Sequence, residues 1–163
     1  MRARFMIVAA IALAASMAPL SASASGMSIT TTVPASLQLS AKIMVTVPVT
    51  VVCTDDPALT PIEDRIVVTI EQAHVSTVSH GTGELDGGLG EFPLVMTTCD
   101  GATSNTVSVQ VLADTNSAPF KNGSAVVTAF VSRLDGIDCG NGCVTNAESA
   151  SVRVGPATVK LHS

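Results

Sequence analysis

Apolar and polar residues alternate along KIMVTVPVTVVCT, residues 42–54. The apolar positions on one face of this segment are Ile43, Val45, Val47, Val49, Val51 and Cys53. A period of two is typical of a half-buried β-strand, so the pattern predicts a long strand whose inner face includes Cys53. Because proline cannot donate to a ladder, Pro48 predicts a sheet edge or a bulge.

The same alternation recurs in RIVVTIEQAHV (65–75) and NTVSVQVLA (105–113). SAVVTAFVSRL (124–134) is apolar on both faces, which is typical of a central strand. Turn-forming residues separate these runs, and no segment has a helical period. We therefore expect an all-β domain of about seven to nine strands, arranged as a two-sheet antiparallel immunoglobulin-like sandwich.

Three segments rich in Gly, Pro and acidic residues predict irregular structure: residues 54–64, 79–91 and 135–148. Loops of about a dozen residues without structure of their own are either functional or disordered. The sequence leaves open which of the two applies to 79–91 and 135–148.

The N-terminus carries two arginines, then an apolar run, then small residues ending in Ala22-Ser23-Ala24. This order is that of a secretory signal peptide cleaved after Ala24. We expect a signal peptide at 1–24, an extended segment at 25–35 and the sandwich domain at 36–163. We expect the mature chain to be secreted, extracellular or wall-associated. No membrane span is expected after cleavage, because no other segment approaches roughly 20 apolar residues.

Composition disfavours several classes of partner. Loss of Arg2 and Arg4 leaves six basic against thirteen acidic side chains, a formal charge of −7. Such a chain cannot neutralise a run of phosphates, so we expect no nucleic acid partner. The chain has no Trp or Tyr, which removes the aromatic platform on which bases and sugars stack.

The exported chain has four cysteines: Cys53, Cys99, Cys139 and Cys143. An even number in an oxidising space indicates disulfides. Cys53 and Cys99 each end an apolar strand, whereas Cys139 and Cys143 share a Gly-flanked turn. We therefore predict the pairs Cys53–Cys99 and Cys139–Cys143. Zinc is disfavoured because no histidine pair has ligand spacing. A redox pair is disfavoured because the short spacing is not Cys-x-x-Cys.

No motif predicts catalysis. Nearly all acidic side chains lie in predicted loops and are expected in solvent, not across a rigid cleft as glycosidase carboxylates are. The stretches TDD (54–56) and ELDGG (84–88) offer the oxygen ligands that calcium prefers, without EF-hand spacing, so calcium binding stays open. HGTGELDGGLG (80–90) follows no phosphate-binding pattern, and G-x-S-x-G is absent.

Histidine and methionine offer one further metal hypothesis, in which His74 and His80 bind copper together with Met44 or Met96. A blue-copper site would pair a Cys with a nearby His, and the chain lacks that pairing. Surface histidine is the simpler interpretation. We therefore expect no catalytic residue, no metal site, no cofactor and no enzymatic activity.

Four groups of residues carry a resemblance: VVCTDD with VVTIEQ, HGTG, TTCDGATSNTVSVQVLA, and APFKNGSAVVTAFVSRL. Over Val45 to Leu161 the chain resembles small secreted proteins of actinobacteria and related bacteria that have no assigned function. The resemblance implies an exported, disulfide-bonded, immunoglobulin-like sandwich and carries over no catalytic residues. In the last group, Phe120 is expected to plug one end of the core.

These observations favour a secreted or wall-associated, non-enzymatic binding domain. We expect it to bind an extracellular protein, a surface or a small molecule through its loops, above all 79–91 and 135–148. One alternative is a small-ligand carrier with a cleft between the sheets, lined by Met44, Met96, Phe92, Phe120 and Phe130. Another is a subunit of a surface polymer, whose N-terminal segment donates a strand to a neighbour.

Overall fold

The computed structural model describes residues 22–24, 26–88, 94–140 and 143–163. In these ranges the chain forms strands and turns, and it contains no helix that is long and apolar enough to cross a membrane. The described strands are β1 (Ala22–Ala24), β2 (Met27–Thr32), β3 (Ser36–Ser40), β4 (Met44–Thr54), β5 (Thr60–Ala73), β6 (Val78–Gly88), β7 (Asp100–Ala113), β8 (Gly123–Gly140) and β9 (Cys143–His162).

The strands form one hydrogen-bonded sheet that closes on itself. Their order is β1-β2-β4-β3-β9-β8-β5-β6-β7, and β7 also pairs with β4. Strands β3 to β9 make a closed seven-stranded barrel, with β1 and β2 extending the sheet beside β4. Pairing is antiparallel except between β3 and β9, which run parallel. The all-β prediction is confirmed, but the expected two-sheet immunoglobulin-like sandwich is wrong.

Closure depends on the close approach of β6 to β7, which are joined through Gly81 and Thr82. A Cβ atom on Gly81 would overlap the carbonyl oxygen of Leu112, and one on Gly83 would overlap that of Gln110. Glycine allows this approach because it has no side chain. The prediction that residues 79–91 are irregular therefore missed the contact that joins what would otherwise be the edges of two sheets.

Aliphatic side chains from alternating positions form the core. In β4, Val45, Val47, Val49, Val51 and Cys53 are at most 1% exposed, and Ile66, Val68 and Ile70 of β5 are fully buried. Each such burial stabilises the fold by about 1.5–3 kcal/mol. The predicted inner faces are thus confirmed, except that Ile43 lies in the turn before β4 and is 55% exposed.

Pro48 lies in a central strand and not at an edge. On one side β4 pairs with β7, and on the other it pairs with β3 at residues 44–46 and with β2 at residues 50–54. Residues 47–49 therefore face the break between β3 and β2, where the ladder has no partner. This location avoids the loss of a ladder hydrogen bond that proline would otherwise cause.

Two of the segments predicted to be irregular are largely strands. Residues 79–88 belong to β6, and residues 135–140 and 143–148 belong to β8 and β9. Residues 89–91 and 141–142 of these segments lie outside the described residues. Ladders from β5 to β6 and from β8 to β9 order these strands. Such pairing depends on tertiary context, which local composition does not reveal.

Residues 1–21, most of the predicted signal peptide, lie outside the described residues. Ala22–Ala24 pair with Met27–Ile29, and residues 27–32 of the predicted extended segment form β2. Export and cleavage after Ala24 stay predictions.

The two ends of the barrel differ in charge. The end where β4 and β8 finish carries Asp55, Asp64, Asp100, Asp135 and Glu148, and is termed the acidic end. At the opposite end β3 finishes and β4 and β8 begin. The three lysines of the chain lie towards this second end, termed the lysine end: Lys42, Lys121 and Lys160.

Candidate functional site

Both disulfide bonds lie at the acidic end. Cys53 near the end of β4 is bonded to Cys99 just before β7, with Cα atoms 4.5 Å apart. Cys139 and Cys143 are bonded across the β8–β9 tip, with Cα atoms 5.3 Å apart. These are the two pairings that the sequence predicts, and they leave no thiol for zinc or redox chemistry. Disulfides are consistent with an extracellular location.

A buried ion network joins β8 to the loop after β4. The Arg133 side chain is 2% exposed and donates from Nε to Asp135 Oδ1 at 2.9 Å and from Nη2 to Asp55 Oδ2 at 3.0 Å. Its Nη1 donates to the Met96 carbonyl at 2.9 Å. A buried charge is costly unless it is paired and hydrogen-bonded, and the guanidinium fork meets both needs.

Asp64 secures the segment that precedes Cys99. Its carboxylate accepts hydrogen bonds from the N–H groups of Val95 and Met96, at 2.9 and 2.7 Å. Asp64 is 1% exposed, and the Met96 side chain is fully buried. Asp64 and Arg133 therefore satisfy both backbone groups of Met96, which fixes this segment over the barrel end.

The expectation that acidic side chains are solvated is wrong for Asp64 and Asp135. The role of Arg133 was also missed. The alternation in the sequence indicates that all three side chains are buried. Arg133 and Asp135 lie two and four positions after the inward-facing Val131, and Asp64 lies two positions before the inward-facing Ile66. Alternation alone therefore places them inside, against the usual preference of charged residues for solvent.

The acidic end holds more negative than positive charge. Asp55 Oδ1, Asp135 Oδ2 and Glu148 Oε2 are buried without a hydrogen-bond partner. Burial raises the pKa of Asp55, an effect that Arg133 opposes and Asp135 reinforces. Across the described ranges, no group of three or more His, Cys, Asp or Glu side chains is arranged to hold a metal ion.

A serine–histidine pair lies at the lysine end. His74 Nε2 is 2.7 Å from Ser79 Oγ, and this hydroxyl donates to the Pro119 carbonyl at 2.9 Å. A nucleophilic serine must be accessible and must give its proton to a base. Ser79 is fully buried and directs its proton at a carbonyl, so the pair is structural.

His80 forms a separate pair, with Nδ1 2.6 Å from Asp114 Oδ2. It shares no residue with the His74 pair, so no Ser-His-Asp triad results. Met96 lies at the acidic end and both histidines lie at the lysine end. The structure therefore does not bring Met96 to the expected copper ligands.

A cleft of about 500 Å³ opens at the lysine end. It is termed the lysine cleft and is lined by Leu39, Ala41, Lys42, Lys121, Asn122 and Ser163. Leu39 is 5% exposed and supplies an apolar wall, whereas both lysines are exposed. Lys42 and Lys121 are remote in sequence, so no local motif identifies the cleft.

No family model, curated protein or solved structure matches this chain. The resemblance to small secreted actinobacterial proteins stays a prediction, and the sandwich architecture that it implies is wrong.

One wall of the lysine cleft is held by a buried amide. Gln72 is 3% exposed; its Oε1 accepts from the Lys121 N–H at 2.8 Å, and its Nε2 donates to the Lys121 carbonyl at 2.8 Å. The same Nε2 lies 3.3 Å from the Ser124 carbonyl. Phe120 beside them is fully buried, as expected for the plug of the core. The backbone that carries Lys121 is therefore fixed.

The facing wall is a turn with unusual backbone geometry. Ala41 and Lys42 have φ values of +52° and +63°, a region that residues other than glycine rarely adopt. The turn closes through Ile43 N–H to Ser40 O at 3.4 Å, and Ile43 O accepts from Ala113 N–H at 2.8 Å. Neighbouring strands thus hold Lys42 at the cleft.

Proposed function

We propose that this chain is an exported, non-enzymatic binding domain that recognises its ligand at the lysine cleft. The observation that carries the proposal is the cleft itself, an open recess of about 500 Å³ between two anchored walls. Its volume lies within the range of small-molecule sites, about 300–1,000 Å³. The disulfide bonds support export.

The proposal moves the binding surface away from the loops first expected. Residues 79–88 and 135–140 are strands with ladder partners, so they are less free to adapt to a ligand than loops are. At the acidic end the Arg133 guanidinium donates to acceptors within the chain, and the two oxygens of Asp55 and Asp135 that have no partner are buried. The exposed polar groups of the lysine cleft are better placed for a partner.

The closed barrel affects both alternative functions, the small-ligand carrier and the subunit of a surface polymer. A closed sheet has no gap between two sheets, and Met96 and Phe120, two of the side chains expected to line one, are fully buried. Strand donation would require β2 and β3 to leave their ladders with β4. Neither alternative has an observation in its favour.

Ligand capture tests the proposed function. Immobilised wild-type protein, K121E and K160E would be incubated with fluid from the producing culture, and bound material identified by mass spectrometry. Lys160 is the matched control because it lies outside the cleft lining and donates to Ser124 Oγ at 2.7 Å. The expected ligand is retained by wild type and K160E and lost by K121E. Equal retention by all three proteins, or retention by none, would contradict the proposal.

A further inference from the structure

We propose that the lysine cleft binds a small organic anion, with its anionic group between Lys42 and Lys121 and its apolar body against Leu39 and Ala41. This inference rests on the proposed function and specifies its ligand class. Both lysines and the apolar wall line the same recess of about 500 Å³. Such a recess accepts a single small molecule with one charged head.

Charge distribution favours an anion at this end. The chain has a formal net charge of −5, and among the described residues neither Lys42 nor Lys121 forms an ion pair. Each ammonium therefore keeps its donors for a ligand. The lysine end also carries Asp114, whose carboxylate is hydrogen-bonded to His80, and the carboxylates of the acidic end repel an anion from the opposite end of the barrel.

The lysine ammonium groups attract the anionic group of the ligand by charge, and neighbouring polar groups supply hydrogen bonds. Asn122 Nδ2 donates to Ser163 Oγ at 3.1 Å, which places an amide and a hydroxyl beside the lysines. A lysine ammonium is a compact point charge without the fork of arginine, so carboxylate and phosphate heads are both accepted. We expect charge and apolar length to matter more than head shape.

Preorganisation makes the site selective despite its exposed lysines. The Gln72 amide fixes the Lys121 backbone through two hydrogen bonds of 2.8 Å, and the Ala41-Lys42 turn is held by β3, β4 and Ala113. Fixed walls reduce the conformational entropy that is lost when a ligand binds. The backbone segments that carry Lys42 and Lys121 are therefore fixed on the two walls of the cleft before the ligand arrives.

The test uses hexyl phosphate and hexanoate as probes, with hexanol and hexylammonium as uncharged and cationic controls. Binding to the full mature chain would be followed by amide chemical-shift changes in NMR. Shifts are expected for both anions at residues 39–42 and 121–123, and hexylammonium should give none. K42Q and K121Q should each weaken hexyl phosphate binding by about threefold to fivefold, and affinity should fall as salt rises from about 0.05 to 0.5 M.

K160Q is the matched control and should bind like the wild type. Hexanol binding as tightly as hexyl phosphate would overturn the inference, as would equal weakening in K160Q and K42Q or binding by neither anion. If ligand capture still depends on Lys121 while both anions fail, the proposed function stands and this ligand class is wrong. The substitutions are at exposed positions, so an unchanged spectrum of the free protein verifies the fold.

Discussion

The two ends of the barrel are closed by different interactions. The acidic end uses two disulfide bonds and the buried pairing of Arg133 with Asp55 and Asp135. The lysine end uses the Phe120 side chain and the neutral amide of Gln72. At the acidic end, charged side chains are thus buried and paired with each other. At the lysine end, uncharged groups hold the backbone, and the ammonium groups of the lysines are exposed.

Because of this difference, we expect stability and ligand binding to depend on different ends of the barrel. A buried ion pair is satisfied only by its own partners, and breaking it leaves an uncompensated charge. Exposed lysines contribute little to folding and are available to a ligand. We therefore expect substitutions at the acidic end to change mainly the free energy of unfolding, and substitutions of cleft lysines to change mainly ligand affinity.

The largest effect is expected from Arg133→Met. It would leave the fully buried Asp135 without its ion-pair partner and lower the free energy of unfolding by about 3–5 kcal/mol. Urea denaturation with both disulfides intact measures the loss. R153M, at an exposed position of β9, is the control and should change stability by less than about 0.5 kcal/mol. Similar losses in both variants would show that the network does not hold this end.

The two disulfide bonds should differ in their contributions. Cys53–Cys99 spans 46 residues, and the double variant C53A/C99A should lose about 4 kcal/mol of unfolding free energy. Cys139–Cys143 spans four residues, and C139A/C143A should lose about 2 kcal/mol. Urea unfolding midpoints give the comparison. A greater loss from the short loop would contradict the chain-entropy argument.

Gln72→Met should affect the lysine end alone. It removes the partners of both Lys121 backbone groups and should cost about 1–3 kcal/mol. Hydrogen exchange locates the effect: the Lys121 amide should lose protection, and the Met96 amide, bonded to Asp64, should keep it. Q110M at an exposed position of β7 is the control. Equal loss of protection at both ends would mean that the ends are not independent.

The smallest effects concern pH at the acidic end. Hydrogen bonds from the Thr103 hydroxyl and from the N–H groups of Thr103 and Ala102 lower the pKa of Asp100 from 3.8 to about 2. Its contribution to stability is therefore present above pH 3.8 and is lost as pH falls towards 2. D100N should flatten the stability profile in this interval, as measured by urea unfolding across the pH range.

The contribution of Asp55 to stability should depend on pH in the opposite direction. Because burial raises its pKa above 3.8 in the folded state, its contribution is present below pH 3.8 and is lost as pH rises through the folded value. D55N should remove that loss, and carboxyl NMR titration of the wild type measures the pKa directly. A lowered pKa for Asp55 would show that Arg133 outweighs burial.

Local patterning predicts the strands better than their arrangement. The alternation in β4 and β5 correctly places Val47, Ile66 and Cys53 inside, because side chains of a strand point alternately to two faces. The same phase also places Asp64 and Arg133 inside, against the usual preference of charged residues for solvent. Only a structure shows that these two groups have partners, from the backbone of Met96 and from Asp55.

The sequence by itself determined the β-strand periodicity and the inner faces, since both depend on spacing along a short stretch of chain. It also determined the two cysteine pairs, since Cys139 and Cys143 share one turn and Cys53 and Cys99 each end an apolar strand. The tertiary structure decided that the sheet closes, because closure requires the backbone of β6 at Gly81 to meet β7 at Leu112. It also decided the cleft, because Lys42 and Lys121 converge only when distant strands pair. Local patterns carry no information about such long-range contacts.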